Sequence, residues 1–417
     1  MKTKTLLLAA AAVAACHLEA KPSFFLPETI YAAPGVECNV YFTDIFDSFT
    51  PNRYVFEALS EKGATQVERW FWTPAPEDAG KCVPLVIRAW SDDAAVATVT
   101  TRVQVARAPA PDAASRKVTF ALLAASLTNS RYQDQIKKDM LNHGYPLFTP
   151  VGSNKPKDPL GAAHDGYGGF TFESFLTRYA LSTDEIDNLQ SEAERDQLRR
   201  FGEKIPAGQE WRRGLLKSPL VKLVNGEKVV DAHRWLAKVN EGKAPDIIAI
   251  ELGVNGTFAQ TESRLDAHIR DSQIVSAKKL VATLRSVAPD ALIGICTEPL
   301  GCGQDGYGQN YGAKISIVQG RRNIFRLNRA LKEWVESAGD PRMVLVPFSH
   351  AIDPVHGFIR VAVPAHARTA TKITRDHNAL HPSAEGGKQL GDALYAWIAN
   401  MLGDPTTKIT VDGSFSP

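Results

Sequence analysis

The clearest pattern of apolar positions lies at Val118–Ala124, read as VTFALLA, where Thr119 is the only polar side chain. A run this short and this apolar reads as a strand buried on both faces of a sheet. It ends in alanines, then Ser126, Leu127 and Thr128, and a helix-like segment follows from Arg131. Further strands are readable at 246–252 (DIIAIEL), 291–296 (ALIGIC) and 343–347 (MVLVP). Between them apolar residues recur at helical spacing. Leu280, Leu284 and Val287 share one face, as do Ile324, Leu327, Leu331 and Val335, and then Leu390, Leu394, Trp397, Ile398 and Met401. Strands alternating with helices of this length imply parallel pairing and a three-layer α/β/α sandwich.

Other patterns flank and interrupt this rhythm. Residues 22–106 carry short runs rich in β-branched and aromatic residues, such as ECNVYF, ERWFWTP and CVPLVIRAW, punctuated by Pro, Gly, Asp and Asn. They predict a small all-β sandwich domain. The order Cys38, Trp70, Cys82 is immunoglobulin-like, although the tryptophan comes late. Residues 107–117 are rich in alanine and proline and predict an extended linker to an α/β domain over 118–403. Within that domain, 177–243 is charged and helix-prone, and reads as an insertion: a cap over one edge of the site, or a solvated appendage. The tail at 404–417 is polar and expected to be loose.

The chain of 417 residues holds 48 basic and 46 acidic side chains, a net charge of +2. That balance gives no electrostatic basis for a nucleic-acid partner or an anionic membrane surface. The start, MKTKTLLLAAAAVAAC, has a basic head and a short apolar run, the pattern of a signal peptide over residues 1–15. Two outcomes fit it: cleavage and secretion, or a lipid on Cys16 as the one membrane link. Either places the protein outside the cytoplasm, secreted, periplasmic or at the cell surface. In an oxidising compartment the remaining cysteines are an even set. Cys38 with Cys82 and Cys296 with Cys302 is the disulfide pairing that respects domain boundaries, and free buried thiols are the alternative. None has the CxxC spacing of a zinc site.

A serine at the carboxyl end of a central parallel strand sits where open α/β sheets place their ligands. Ser126 is therefore the candidate nucleophile, although a serine at a helix start is more often a cap. His381, on the loop before the last helix, is the candidate base. Asn255, after a strand end in LGVNG, has an amide able to donate to an oxyanion, and Gly169 in HDGYGGFTF could bring a backbone N–H to the same oxygen. The aromatic-rich loops DGYGGFTF and GYGQNYG suit stacking on a sugar ring, and core packing explains them equally well.

Taken in order, these pieces resemble the SGNH/GDSL hydrolase family of esterases and lipases over residues 118–403. ASLTNS at 125–130 is similar to the family's GDSLT block, HDGYGGFT at 164–171 to its glycine block, LGVNG at 252–256 to its GxND block and NALHPSAEG at 378–386 to its DxxHP block. The resemblance implies a flavodoxin-like three-layer α/β/α fold and a Ser126–His381 mechanism. It also implies an oxyanion hole from the Ser126 N–H, the Gly169 N–H and the Asn255 side chain, with no metal or organic cofactor. The implied substrate is a small-molecule or carbohydrate ester, an O-acetyl group in particular. Three departures stand out. Ala124–Ala125 replaces the Gly-Asp before the serine, Gly256 replaces the Asp of GxND, and Asn378 stands where the family has the aspartate that orients the histidine. Asn378, whose amide can orient an imidazole without stabilising its charge, and the carboxylates Asp376 and Asp353 are the candidates for orienting His381. The departures leave a second reading open, a catalytically silent relative that binds glycan or serves at the surface.

Overall fold

The computed structural model describes residues 22–48, 51–179, 218–225, 227–311, 314–406 and 410–411. The leader-like start with Cys16 and the helix-prone centre of the insertion lie outside them.

The α/β part is built on five parallel strands: β1 (Val118–Ala124), β2 (Phe148–Val151), β3 (Ile247–Glu251), β4 (Leu292–Cys296) and β5 (Met343–Val346). Their spatial order is β2-β1-β3-β4-β5. This is the doubly wound order whose topological switch lies between the first and third strands, where such sheets bind ligands beyond the strands' carboxyl ends. A two-residue strand, Asp165–Gly166, adds to the carboxyl end of β1. Every residue of β1 and β3 is buried, so both sheet faces are covered. The helices that cover them form two contacting groups. One is α1 (Tyr132–Asn142) with α6 (Ala384–Leu402), and the other comprises α2 (Phe172–Thr177), α3 (Ala232–Asn240) and α4 (Val275–Val287), to which α5 (Ile317–Ser337) is joined through the segment Ile269–Ile274. The apolar faces read from spacing point inward: Leu280, Leu284, Ile324, Leu327, Leu331, Leu390, Leu394, Trp397 and Ile398 are all buried. β2 is a strand that its sequence FTPV conceals. Pro150 is tolerated there because the strand is at the sheet edge.

Residues 22–48 and 51–105 form short sheets. One contains Thr29–Ala32, Ala94–Val105, Lys81–Ser91 and Val55–Leu59. A second contains Cys38–Tyr41, Arg69–Trp72 and Ala64–Thr65. Ile30, Val40, Phe42, Trp70, Leu85, Ile87 and Val103 share the core between them. This unit is tied to the α/β part. Asn400 on α6 donates to the Ala32 carbonyl at 2.9 Å, Arg321 on α5 reaches the Asp44 carboxylate at 3.0 Å, and the His350 Nδ1 donates to the Asn39 carbonyl at 2.7 Å.

Several expectations are corrected. The stretch after Ala106 is packed rather than extended: Ala113 is buried and Pro109 bridges to Gly403. The tail is not wholly loose, because Thr410–Val411 adds a parallel strand beside Lys81 and Cys82. The described end of the insertion is a hairpin, Val221–Val224 with Glu227–Val230, leading into α3. Among the described residues no disulfide forms, and Cys38, Cys82, Cys296 and Cys302 are free and buried. Cys38 and Cys82 belong to different sheets, and the Cys38 thiol, pushed up to about 12 by burial, points to the Tyr31 carbonyl. Cys296 ends β4 beside buried carboxyl groups, whereas the Cys302 thiol donates to the Asn378 carbonyl at 3.1 Å. Among the described residues no helix is long and apolar enough to cross a membrane.

Candidate active site

Ser126 opens a short 3-10 turn, Ser126–Ser130, directly after β1. The turn is fastened from within, the Thr128 hydroxyl donating to the Ala125 carbonyl at 3.0 Å and the Ser130 hydroxyl to the Leu127 carbonyl at 2.7 Å. Arg131, in the left-handed region, redirects the chain into α1. Ser126 itself stays half-buried while its neighbours Ala125 and Leu127 are buried, so its hydroxyl is accessible on a rigid base.

His381 stands on the loop between β5 and α6, far away in sequence. Its Nε2 lies 2.8 Å from the Ser126 Oγ. Its Nδ1 lies 3.0 Å from the Asn378 Oδ1, and that same oxygen accepts the Leu380 N–H at 3.0 Å and the His381 N–H at 2.8 Å. Backbone amides can only donate, so the Asn378 atom they converge on is its oxygen. The Nδ1 must then carry the ring proton, which leaves the Nε2 lone pair facing the serine. The Ser126 hydroxyl donates to it. An asparagine, whose two ends differ, thus fixes the tautomer that a general base requires.

The turn that carries Asn378 is held in turn. Cys302 uses its N–H for the Ala379 carbonyl at 2.9 Å as well as its thiol for the Asn378 carbonyl, and the Asn310 side chain accepts the Ala379 N–H at 2.6 Å. A Cβ on Gly306 would lie 2.2 Å from the Cys302 sulfur, so this clamp needs a glycine. None of this support was evident in the sequence reading. Neither alternative carboxylate orients His381: Asp376 faces Arg360 at 3.4 Å, and Asp353 accepts the Val355 and His356 amides and contacts the His356 ring at 3.1 Å. Burial lowers the His381 pKa from its ordinary value, and no carboxylate raises it back.

The other two segments reach the same rim. Asp165–Gly166 pairs with Leu123–Ala124, and the Tyr167 N–H donates to the Ala124 carbonyl at 3.1 Å, which sets the Gly168–Gly169 bend beside the Ser126 turn. The bend is anchored by Asp165, fully buried, which accepts the Tyr167 hydroxyl at 2.8 Å and the Trp235 indole N–H at 2.9 Å. Gly169 has φ +74° and a Cβ there would meet nothing within 4 Å, so its peptide borders open space. Asn255 follows β3 by four residues and donates one amide hydrogen to the Phe170 carbonyl at 3.1 Å. Its second amide hydrogen is free of that bond. The strand-to-turn exit ahead of it relies on Gly253, whose φ of +132° and a Cβ distance of 2.7 Å from Leu327 admit no side chain. Of the rings in the aromatic loops, Tyr167, Phe170, Phe172 and Tyr307 are buried in the core and offer no stacking face, while the Tyr311 side chain lies outside the described residues. Among the described residues no group of three or more His, Cys, Asp or Glu side chains is arranged to hold a metal ion.

No protein-family model and no curated protein matches the chain. Solved structures align with it at low similarity. An acetyl esterase mutant with acetate ion is 13% identical, over 68% of this chain and 98% of that one, at a TM-score of 0.36. A family 3 carbohydrate esterase of Clostridium thermocellum is 14% identical, over 69% and 98%, at 0.36. A family two carbohydrate esterase from Clostridium thermocellum in complex with cellohexaose is 12% identical, over 89% and 94%, at 0.33. At that level the fold rests on the strand order, and the site rests on its own distances.

Proposed function

We propose that the protein is a serine esterase of the SGNH/GDSL type that hydrolyses short-chain acyl esters, O-acetyl groups on carbohydrate above all. The observation that carries this reading is the 2.8 Å contact between the His381 Nε2 and the Ser126 Oγ, made between residues 255 positions apart; the donors gathered on the Asn378 oxygen support an unprotonated Nε2. In the first step the Ser126 oxygen attacks the acyl carbon as its proton passes to Nε2. The oxyanion accepts from the Ser126 and Gly169 amides and from the free hydrogen of Asn255. The imidazolium then protonates the departing sugar oxygen, and water, deprotonated by the same ring, releases the acid. A base that must be neutral to work is helped by the burial that lowers the His381 pKa.

The open space over Gly168 and Gly169 suits a bulky alcohol portion carrying a small acyl group. The basic and apolar start of the chain supports a location outside the cytoplasm, by secretion or through a lipid on Cys16. The test compares wild type with Ser126→Ala on p-nitrophenyl acetate and on acetylated oligosaccharides, together with labelling by a serine-directed fluorophosphonate. Wild type should turn over and label, and the variant should do neither. The missing carboxylate at Asn378 favours one rival, a silent glycan-binding relative. Carbohydrate retention by unlabelled wild-type protein would put that rival in place of the esterase.

A further inference from the structure

Directly beneath the Ser126 turn lie two acids that the proposed mechanism does not use. Glu251 ends β3 and Glu298 follows β4, and both are completely buried. The Ala125 N–H, one residue before Ser126, donates to the Glu251 Oε2 at 3.3 Å and to the Glu251 carbonyl at 3.1 Å. Tyr132, at the start of α1, sends its hydroxyl to the same Oε2 at 3.4 Å. Glu298 is clasped by Asn328 of α5, which accepts its N–H at 2.7 Å and donates to its carbonyl at 2.8 Å. That clasp fixes the backbone and leaves the carboxyl group facing Glu251. Among the described residues neither oxygen of Glu298, nor the Oε1 of Glu251, has a protein donor.

Among the described residues, the groups that act on the pair are the Tyr132 hydroxyl, the Cys296 thiol and the Ala125 amide, with no lysine, arginine or histidine. Two buried carboxylates without a cation repel each other and lack solvation. A shared proton removes the repulsion and reduces the loss of solvation, because one carboxyl group then donates to the other and the single remaining charge is also met by the Ala125 N–H and the Tyr132 hydroxyl. We propose that Glu251 and Glu298 form a carboxyl–carboxylate pair, with one proton held between them, that positions the turn carrying Ser126. The pair would supply from adjacent strands a carboxylate beside the nucleophile, where Ala124–Ala125 has none. Burial raises both acids above the ordinary range, which agrees with retention of that proton at neutral pH. The positioning half of the proposal rests on the esterase reading, and the proton-sharing half does not.

The sign follows from linkage. The native pair keeps a proton that the unfolded chain releases above the ordinary glutamate range, so stability falls as pH rises beyond it, tenfold in the folding constant for each pH unit. Melting of full-length wild type and Glu298→Gln is compared between about pH 6 and about pH 9, since a glutamine amide donates to Glu251 with no proton to lose. Other buried acids, Asp44 and Asp392 among them, cancel in the difference. The wild-type Tm should fall more steeply than that of the variant, and parallel curves overturn the shared proton. For positioning, Glu298→Leu should lower kcat on p-nitrophenyl acetate tenfold or more with KM within about twofold, and Gln at the same place should recover most of that loss. A Leu variant with wild-type kcat overturns the positioning role. If the Leu variant does not fold, the kcat of the Gln variant decides, a loss as large as that of Ser126→Ala counting against the role. Wild type inert on every ester removes the positioning half along with the esterase reading, while the melting curves still decide the proton.

Discussion

Replacing Asn378 by aspartate places a charge where only an amide dipole now faces the His381 Nδ1, at 3.0 Å. The change is nearly isosteric, and the new carboxylate inherits three donors, the Leu380 and His381 amides and the ring N–H, so it stays ionised. An opposite charge at this range raises an imidazole pKa by about 1–3 units, each worth about 1.4 kcal/mol. His381 is half-buried, so the low end applies, and about one unit stabilises the imidazolium of the transition state enough for roughly tenfold in rate. In the serine-protease triad, asparagine in place of aspartate costs about 10⁴ because it holds the wrong tautomer. Here the two backbone donors already force the asparagine oxygen toward Nδ1, so that larger penalty is absent from the wild type.

The assay is kcat/KM against pH on p-nitrophenyl acetate. The working base is neutral His381, so activity falls as pH drops through its pKa. In wild type that acid limb lies below the ordinary histidine value, because burial lowers it. In Asn378→Asp the limb moves up, so the gain of about tenfold near pH 8 shrinks toward pH 5. An acid limb that does not move in a folded variant refutes the Asn378–His381 contact as the orienting one. A gain near 10⁴ refutes the tautomer argument instead, because it would mean that wild type holds the ring the wrong way round.

Other perturbations test separate parts of the arrangement. Asn255→Ala should lower kcat by about 10²–10³ with a smaller change in KM, as loss of one oxyanion donor does, and an unchanged kcat removes Asn255 from the site. Cys302→Ala leaves the Asn378 carbonyl without its thiol donor, a loss of about 1 kcal/mol, and should slow kcat severalfold while the protein stays folded; an unchanged kcat would separate the clamp from catalysis. Gly253→Ala should lower Tm through a strained φ and a clash with Leu327, at a cost of about 1–3 kcal/mol, and an unchanged Tm would contradict the tight exit from β3. Asp392 on α6, raised to about 7 by burial and by Asp139 of α1, destabilises the fold as pH rises from the ordinary aspartate range through neutrality. Asp392→Asn should therefore raise Tm near pH 8 and leave it unchanged near pH 3, and equal shifts at both would remove this acid as the cause.

What was legible in the sequence was what burial alone decides. Val118–Ala124 has the bounds read from its apolar run, and the inward faces of α4, α5 and α6 follow from residue spacing, because a residue with no polar atom has one stable destination. Ser126 and His381 were legible as a pair only through four short blocks taken together. No local property of either residue announces a partner 255 positions away. The failures share a physical cause. Cysteine pairing depends on where two Cβ atoms point, and parity and spacing say nothing of that. The rings of DGYGGFTF fitted a sugar face and the core equally well on sequence, and the burial of Tyr167 and Phe170 decides for the core. Asn378 is the most instructive case. Read by residue type, it is a triad member without its charge. Read in place, its oxygen is committed by two backbone amides, so it still performs the orienting half of the aspartate's task and lacks only the electrostatic half. Glu251 had a signal that went unused: a carboxylate at the end of the otherwise apolar run IIAIE calls for a cation or a retained proton, and what faces it is a second acid, Glu298, two residues beyond the neighbouring strand. A charge inside an apolar strand is the kind of local inconsistency that marks a site where the fold gives up stability for something else.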